Sequence, residues 1–134
     1  MEGIETSIIE TLFGDSRTGF VRYDRTYHGF RGLKNVPLVS FTYGENYAEL
    51  LTPEKSLKVR EHTLEGFEWG SMSVGAKQLA LAILLEHYPK EMAEKHHLVF
   101  QRCCVSVFAE DKWALKEEEI REFVEDEEEN RVDI

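Results

Sequence analysis

Alternation of apolar and polar residues marks three segments in the first half of the chain. In residues 20–27, valine and tyrosine alternate with charged or polar neighbours, and residues 37–44 and 56–63 repeat the pattern. A period of two is typical of a strand with one buried face, so we predict three strands of an antiparallel sheet. The segment 44–55 is predicted to be either a helical turn or an irregular loop.

The second half of the chain has the three- to four-residue spacing of helices. Residues 79–85 are apolar around the whole circumference, which predicts a central, well-covered helix that begins just beyond Ser73. Pro89 predicts the start of a second helix, and residues 113–115 lead into a third. A short amphipathic helix is predicted at 4–13, before the strands.

Apolar stripes indicate which helix faces turn inward. The second helix is predicted to bury Ala93, His97, Phe100, Cys103, Cys104, Val107 and Phe108, and the third to bury Ile120, Phe123 and Val124. The fold class is therefore α+β, a small antiparallel sheet of about three strands followed by two or three packed helices. With 134 residues, no internal repeat and no linker, residues 1–134 are expected to form a single domain.

Charge is segregated along the chain. The formal net charge is −10, and ten acids against three bases place −7 of it in residues 116–134. That segment is predicted to be an acidic C-terminal helix or tail, which is either a solvated face or an arm for a basic partner. No basic face remains for phosphate contacts, so direct nucleic-acid binding is not expected.

The lengths of the apolar runs and the cysteine content indicate the cellular compartment. The longest apolar run has seven residues, far short of a membrane span, and no secretory leader is evident, so a soluble cytoplasmic protein is expected. Cys103 and Cys104 are adjacent and form no CxxC motif, which favours two small buried hydrophobic residues in a reducing environment. No cofactor is implied.

The segment 70–77 invites comparison with a phosphate-binding loop. Two glycines are separated by four residues and Lys77 follows them, but no Ser or Thr comes after the lysine and no buried strand comes before. Two interpretations stay open. Either Ser71 or Ser73 caps the helix, or the exposed N–H groups and Lys77 hold an anion.

Glu68 and Trp69 are further candidates, because a carboxylate between aromatic residues can have a raised pKa and act as acid or base. Glu68 can equally accept loop N–H groups while Trp69 fills the gap between sheet and helices. His62 lies six residues earlier, and His62 with Glu68 makes a conceivable acid–base or metal pair. Two ligands fall short of the three or four that zinc prefers, so no metal site is predicted.

Three further histidines also resemble a metal cluster at first sight. His96 and His97 are adjacent, however, and so cannot share the i, i+4 face of a helical metal pair. His97 lies on the apolar stripe and is interpreted as a core histidine. His87 and His96 are predicted to face solvent.

Residues 66–70 (GFEWG) and 78–82 (QLALA) resemble the signature GFEWGYGGSGPAQLALALL of a small uncharacterised domain family, found mostly in bacteria and their phages. Gly75 matches one glycine of the middle block, residues 27–31 resemble an opening Y-x-G-x-R element, and His62 falls where a histidine often precedes GFEWG. The resemblance covers about residues 25–124.

The middle block departs from that signature at Ser71, Met72, Ser73, Val74, Ala76 and Lys77. The family has no assigned activity, so the resemblance implies a shared fold and no catalytic residue. GFEWG is expected to fix the corner between sheet and central helix.

Two functions remain open. The leading one is a non-enzymatic protein-interaction domain that binds another protein or a second copy of itself and presents its acidic C-terminal helix. The alternative is a small enzyme or a ligand- or anion-binding domain with its pocket near His62, Glu68, Trp69 and the 71–77 loop.

Overall fold

The computed structural model describes residues 24–43 and 47–132 of the chain. The strands are β1 (Thr26–Arg31), β2 (Pro37–Tyr43), β3 (Tyr47–Leu50) and β4 (Lys112–Lys116). The helices are α1 (Glu54–Val59), α2 (Val74–Leu85), α3 (Lys90–Cys103) and α4 (Glu117–Val132), with short 3-10 turns at Leu33–Asn35 and Val105–Val107.

The strands form one antiparallel sheet in the order β3-β2-β1-β4. β1 pairs on one side with β2, where Thr26 lies opposite Thr42, and on the other side with β4, where Gly29 lies opposite Trp113. The predicted α+β class is confirmed. The predicted order of sheet first and helices after is wrong, because β4 enters the sheet only after α3.

The strand predicted at 37–44 is confirmed by β2 over Pro37–Tyr43, and residue 44 lies outside the described residues. Of residues 20–27, Thr26 and Tyr27 lie in β1, while residues 20–23 and the predicted helix 4–13 lie outside the described residues. The strand predicted at 56–63 is wrong, because residues 56–59 belong to α1 and residues 60–63 are irregular. Residues 47–50, predicted as a turn or loop, form the edge strand β3 instead.

The helix predictions succeed best where the apolar pattern is longest. Ser73 caps α2 by accepting a hydrogen bond from the N–H of Ala76 at 3.3 Å, and all of 79–85 is buried. Pro89 is the residue at the N-cap of α3, as predicted. Ile120 and Val124 of α4 are buried, with Phe123 half-buried.

The predicted stripe of the second helix is right only in its first part. Ala93, His97 and Phe100 are buried, but α3 ends at Cys103, and this residue and Val107 are exposed. The turn after α3 changes the direction of the chain and ends the helical spacing. Cys104 alone of the two cysteines behaves as predicted in part, since it is half-buried and burial raises the pKa of its thiol to about 11.

The core lies between the inner face of the sheet and the helices, with α2 at its centre. It is made of large side chains from every layer, among them Tyr27, Val39, Phe41, Trp69, Leu81, Phe100, Trp113 and Ile120. In the described residues, no helix is both long enough and apolar enough to cross a bilayer.

Candidate functional site

The GFEWG segment forms a tight corner against β1. Gly66 and Gly70 have φ of 105° and 73°, in the left-handed region that glycine tolerates best. Between them, the Glu68 carboxylate accepts hydrogen bonds from both terminal nitrogens of Arg31, at 3.0 and 3.2 Å. These bonds are the main reason that the pKa of Glu68 is lowered rather than raised, so the side chain is a paired carboxylate at neutral pH.

Trp69 fills the gap between the sheet and the helices. Its indole N–H donates to the carbonyl of Glu110 at 2.8 Å, its ring lies edge-on to Trp113, and the Arg31 guanidinium lies over it at 4.7 Å. Only 3% of Trp69 is exposed. A small molecule would therefore reach little of this residue.

The loop before α2 is held by its own serines. Ser71 donates to the Ser73 hydroxyl at 3.0 Å, and the Ser73 carbonyl accepts from the Gln101 amide at 3.1 Å. Gly75 lies so close to the corner that a Cβ there would meet the Glu68 Cβ and backbone nitrogen at 3.0 Å. The start of α2 thus packs directly on GFEWG, and Ser73 serves as its cap.

His62 and Lys77 do meet in one place, an open cavity of about 420 Å³. Its lining residues are Arg60, His62, Lys77, Glu91, Glu94, Lys95, His97 and Leu98. The Nε2 atoms of His62 and His97 are 3.0 Å apart, and the His97 Nδ1 lies 2.7 Å from the carbonyl oxygen of Glu94. We call this the histidine cavity.

The histidine cavity differs from the site expected from sequence in its members. His62 contacts His97 of α3, whereas Glu68 contacts Arg31 of β1, so the two candidates engage different partners. Burial is the first cause that lowers the pKa of both His62 and His97 below 6.5, which leaves the pair neutral at pH 7. Sequence reasoning missed the pair because the residues are 35 positions apart and no spacing rule joins them.

A second concave surface lies between α3 and α4, with a volume of about 540 Å³. We call it the α3–α4 groove. Apolar parts of its lining come from Tyr88, Met92 and Val124, and charged parts from Arg121, Glu125, Asp126, Glu128 and Glu129. Four carboxylates against one guanidinium give this groove an acidic character.

The predictions that His87 and His96 face solvent are wrong. His96 is fully buried, and its Nε2 bonds the Glu128 carboxylate, which also accepts from Lys95 at 3.0 Å. The His87 side chain is only 4% exposed. His96 is covered by Glu128 of α4, and His87, in the turn after α2, is covered by Tyr27 of β1 and Glu117 of α4. Contacts between elements of this kind cannot be read from helical spacing.

A buried polar network surrounds His87. Its Nε2 is 2.8 Å from the Tyr27 hydroxyl, and its Nδ1 lies 3.7 Å from the Glu117 carboxylate. Glu117 also accepts from the backbone N–H of Arg25 and from the Arg121 guanidinium, at 2.9 and 2.7 Å. The network joins β1, the end of α2 and the start of α4.

Comparison with family models supplies the remaining observation. The model described as "Family of unknown function (DUF6166)" matches residues 27–126. The chain belongs to DUF6166. The DUF6166 match confirms the predicted resemblance to a small uncharacterised family, and runs from the start of β1 into α4. Comparisons with curated proteins and with solved structures gave no match.

The extent of the DUF6166 match separates the two concave surfaces. All lining residues of the histidine cavity lie inside the matched range, while Glu128 and Glu129 of the α3–α4 groove lie beyond it. Across the described residues, no group of three or more His, Cys, Asp or Glu side chains is arranged to hold a metal ion.

Proposed function

We propose that this member of DUF6166 is a non-enzymatic protein-interaction domain that binds a basic partner through the α3–α4 groove. The observation that carries the proposal is the combination in that groove of an apolar floor with an acidic rim. Exposed acids continue along α4 beyond the groove, at Glu118, Glu119 and Glu122.

The groove suits a helical or extended segment that carries both apolar and basic side chains. The half-buried side chains of Tyr88 and Met92 offer surface to an apolar residue. Lys and Arg side chains could lay their methylene stems on that floor and reach Glu125 and Glu129 at the rim. Amphipathic helices are bound in grooves in a similar way, with the apolar face of the helix in the groove.

Charge argues for a different protein as the occupant. A chain with a net charge of −10 repels a second copy at long range, and the described part of α4 repeats one sign of charge. Self-association through this groove is therefore disfavoured. A basic partner would instead be attracted to it, with a faster association at low ionic strength.

The test is charge reversal within α4. We expect the variant Glu125→Lys/Glu129→Lys to lose partners that the unmodified protein captures from a lysate at low salt. The matched control is Glu118→Lys/Glu122→Lys, which makes the same charge change on exposed positions of α4 that do not line the groove. Captured proteins are identified by mass spectrometry, and binding of each basic candidate is then measured by titration.

Capture that survives in the groove variant would contradict the proposal, as would an equal loss in both variants. Capture of a second copy alone, shown by native mass spectrometry, would also overturn it. Charge reversal is preferred to removal of residues 125–134, because removal would take away the Glu128 carboxylate that bonds the buried His96.

The histidine cavity supports a second candidate function, binding of a small ligand. Its support is that two candidates named from sequence, His62 and Lys77, line one cavity together with His97. Glu68, Trp69, Ser71 and Ser73 have structural contacts elsewhere and do not line it.

A further inference from the structure

The sheet has a second face, opposite the one that the helices cover. Side chains alternate between the two faces of a strand, so the sequence neighbours of the buried Tyr27, Val39 and Trp113 point away from the helices. We call the surface that they form the outer face of the sheet. Within the described part of the chain, none of its apolar side chains belongs to the buried core.

Large apolar side chains are grouped on the outer face. Phe30 of β1 lies opposite Leu38 of β2, and Leu50 is on the neighbouring edge strand β3. Phe30 is 40% exposed and Leu50 is 56% exposed. Leu33 and Val36, in the turn between β1 and β2, are also exposed. Grouped apolar residues at a surface are typical of a docking site.

The charged side chains of the outer face are basic. Lys112 and Lys116 of β4 are both exposed on it. The one acid in the four described strands, Glu49, lies opposite Phe41 and so belongs to the other face. An occupant that is both apolar and acidic would therefore match the outer face in charge as well as in polarity.

The N-terminal segment of the same chain has this composition. Residues 4–13, predicted as an amphipathic helix, carry five large apolar residues, and residues 1–15 contain four acids and no Lys or Arg. Glu5 comes four residues before Ile9 and seven before Leu12, so in a helix it shares their apolar side. A carboxylate in that place is unfavourable on a purely apolar surface and favourable beside a lysine.

The connection to β1 directs the segment to the same place. β1 is an inner strand, and on the helix side its start is occupied by Arg25, which bonds Glu86 at 2.8 Å and Glu117 at 2.9 Å. The ten residues 14–23 join the segment to the first described residue. They can span up to about 35 Å, whereas β1 is only about 20 Å long.

We propose that residues 4–13 dock as an amphipathic helix on the outer face of the sheet, with the apolar side on Phe30, Leu38 and Leu50 and with Glu5 beside the lysines of β4. A helix of ten residues is about 15 Å long and four strands are about 14 Å across, so one helix can meet both groups. The DUF6166 match begins at residue 27, so this docking is an addition to the matched region. It is independent of the α3–α4 groove and of the histidine cavity.

The experiment is NMR of the full chain with labelled methyl groups. We expect nuclear Overhauser contacts between the methyl groups of Ile9 and those of Leu38 and Leu50. In the variant Ile8→Asp/Leu12→Asp these contacts should disappear. Amide exchange in residues 4–13 should rise by about tenfold or more, because two buried apolar side chains are lost.

The matched control is Thr6→Asp/Thr11→Asp, which adds the same charge on the polar side of the helix and should keep the contacts. A second pair tests the charge match. Glu5→Lys should weaken the contacts, whereas Glu10→Lys, the same change on the polar side, should not. The methyl signals of Ile83, in the core, should stay unchanged in every variant and so report an intact fold.

Absence of contacts between the segment and the outer face in the unmodified chain would overturn the proposal. Equal effects in a variant and its control would do the same. A sample that mixes two differently labelled copies identifies another occupant. Contacts found only between copies would assign the outer face to a second molecule of this chain and would refute docking within one chain.

Discussion

Gly29 has no side chain, and the indole of Trp113 occupies the space that one would need. A Cβ at this position would lie 2.1 Å from the indole nitrogen. Trp113 is fixed there by stacking on Phe108, with ring centres 4.1 Å apart, and by edge-on contact with Trp69. The glycine of the Y-x-G-x-R element is thus explained by one ring on the neighbouring strand.

Gly29→Ala should therefore displace Trp113 and destabilise the fold by about 1–3 kcal/mol, the usual effect of overpacking a core. Urea unfolding followed by tryptophan fluorescence measures the loss, and the native emission should also change. Ser40→Ala, on the outer face of β2, should stay within about 0.5 kcal/mol of the unmodified protein. Equal stability of the two variants would show that the indole has another place to lie.

At the scale of elements, the α1 prediction failed for a local reason. Leu57 and Val59 alternate with charged residues, but a pattern of so few positions does not distinguish a strand from a short helix of six residues. The residue that α1 buries is Ser56, whose hydroxyl accepts from the Gln78 amide at 2.9 Å. That partner lies 22 residues away, and no local pattern reports it.

β4 is the opposite case, because the sequence does contain a strand pattern at these residues. Trp113 and Leu115 are buried while Lys112, Ala114 and Lys116 are exposed, a period of two over five residues. Because β4 continues directly into α4, residues 113–115 were interpreted as the lead into the third helix. α2 was predictable because the apolar run 79–85 has to be covered on all sides. The His62–His97 contact was not predictable, because it arises only when the segment after α1 packs against α3.

Gln78 ties the segment 56–63 to α2. Its amide oxygen accepts from the N–H of His62 and Thr63, at 2.7 and 3.2 Å, and its amide nitrogen donates to Ser56 and to the Arg60 carbonyl. Gln78→Leu leaves buried backbone groups unpaired, so we expect a loss of roughly 2–4 kcal/mol in unfolding free energy, measured by urea denaturation.

The matched comparison is Gln101→Leu, in another fully buried glutamine. Its amide nitrogen donates to the Ser73 carbonyl, and its amide oxygen has no hydrogen-bond partner among the described residues. This variant should lose clearly less stability than Gln78→Leu. A larger loss in Gln101→Leu would show that packing rather than hydrogen bonding sets the cost.

At the scale of the whole molecule, the network of Tyr27, His87 and Glu117 connects β1 to the end of α2 and to the start of α4. Burial is the main reason that the pKa of His87 falls from 6.5 to about 4, although the Glu117 charge opposes the fall. Burial likewise raises the pKa of Tyr27. In the folded protein the His87 ring is neutral and lies between the Tyr27 hydroxyl and the Glu117 carboxylate. The charged side chains of Arg25, Arg121 and Glu86 lie around it.

This arrangement predicts acid sensitivity. Below pH 6.5 His87 becomes protonated in the unfolded chain, but in the folded chain it stays neutral until about pH 4. The free energy of unfolding therefore decreases as the pH is lowered through that window. The slope from this one group approaches about 1.4 kcal/mol per pH unit. Urea unfolding at pH 7, 6 and 5 should show a shallower dependence in His87→Gln, where the lowered pKa of His62 and His97 still contributes. An unchanged slope would exclude His87 as a source.

The place of β4 in the sheet also bears on synthesis. β1 is among the first described segments to leave the ribosome, yet its second neighbour is encoded more than eighty codons later. Until that stretch emerges, the nascent chain has an unpaired strand edge and an uncovered Trp69. Translation must therefore pass residue 116 before the sheet can close, and a product interrupted earlier would be a substrate for chaperones and proteases.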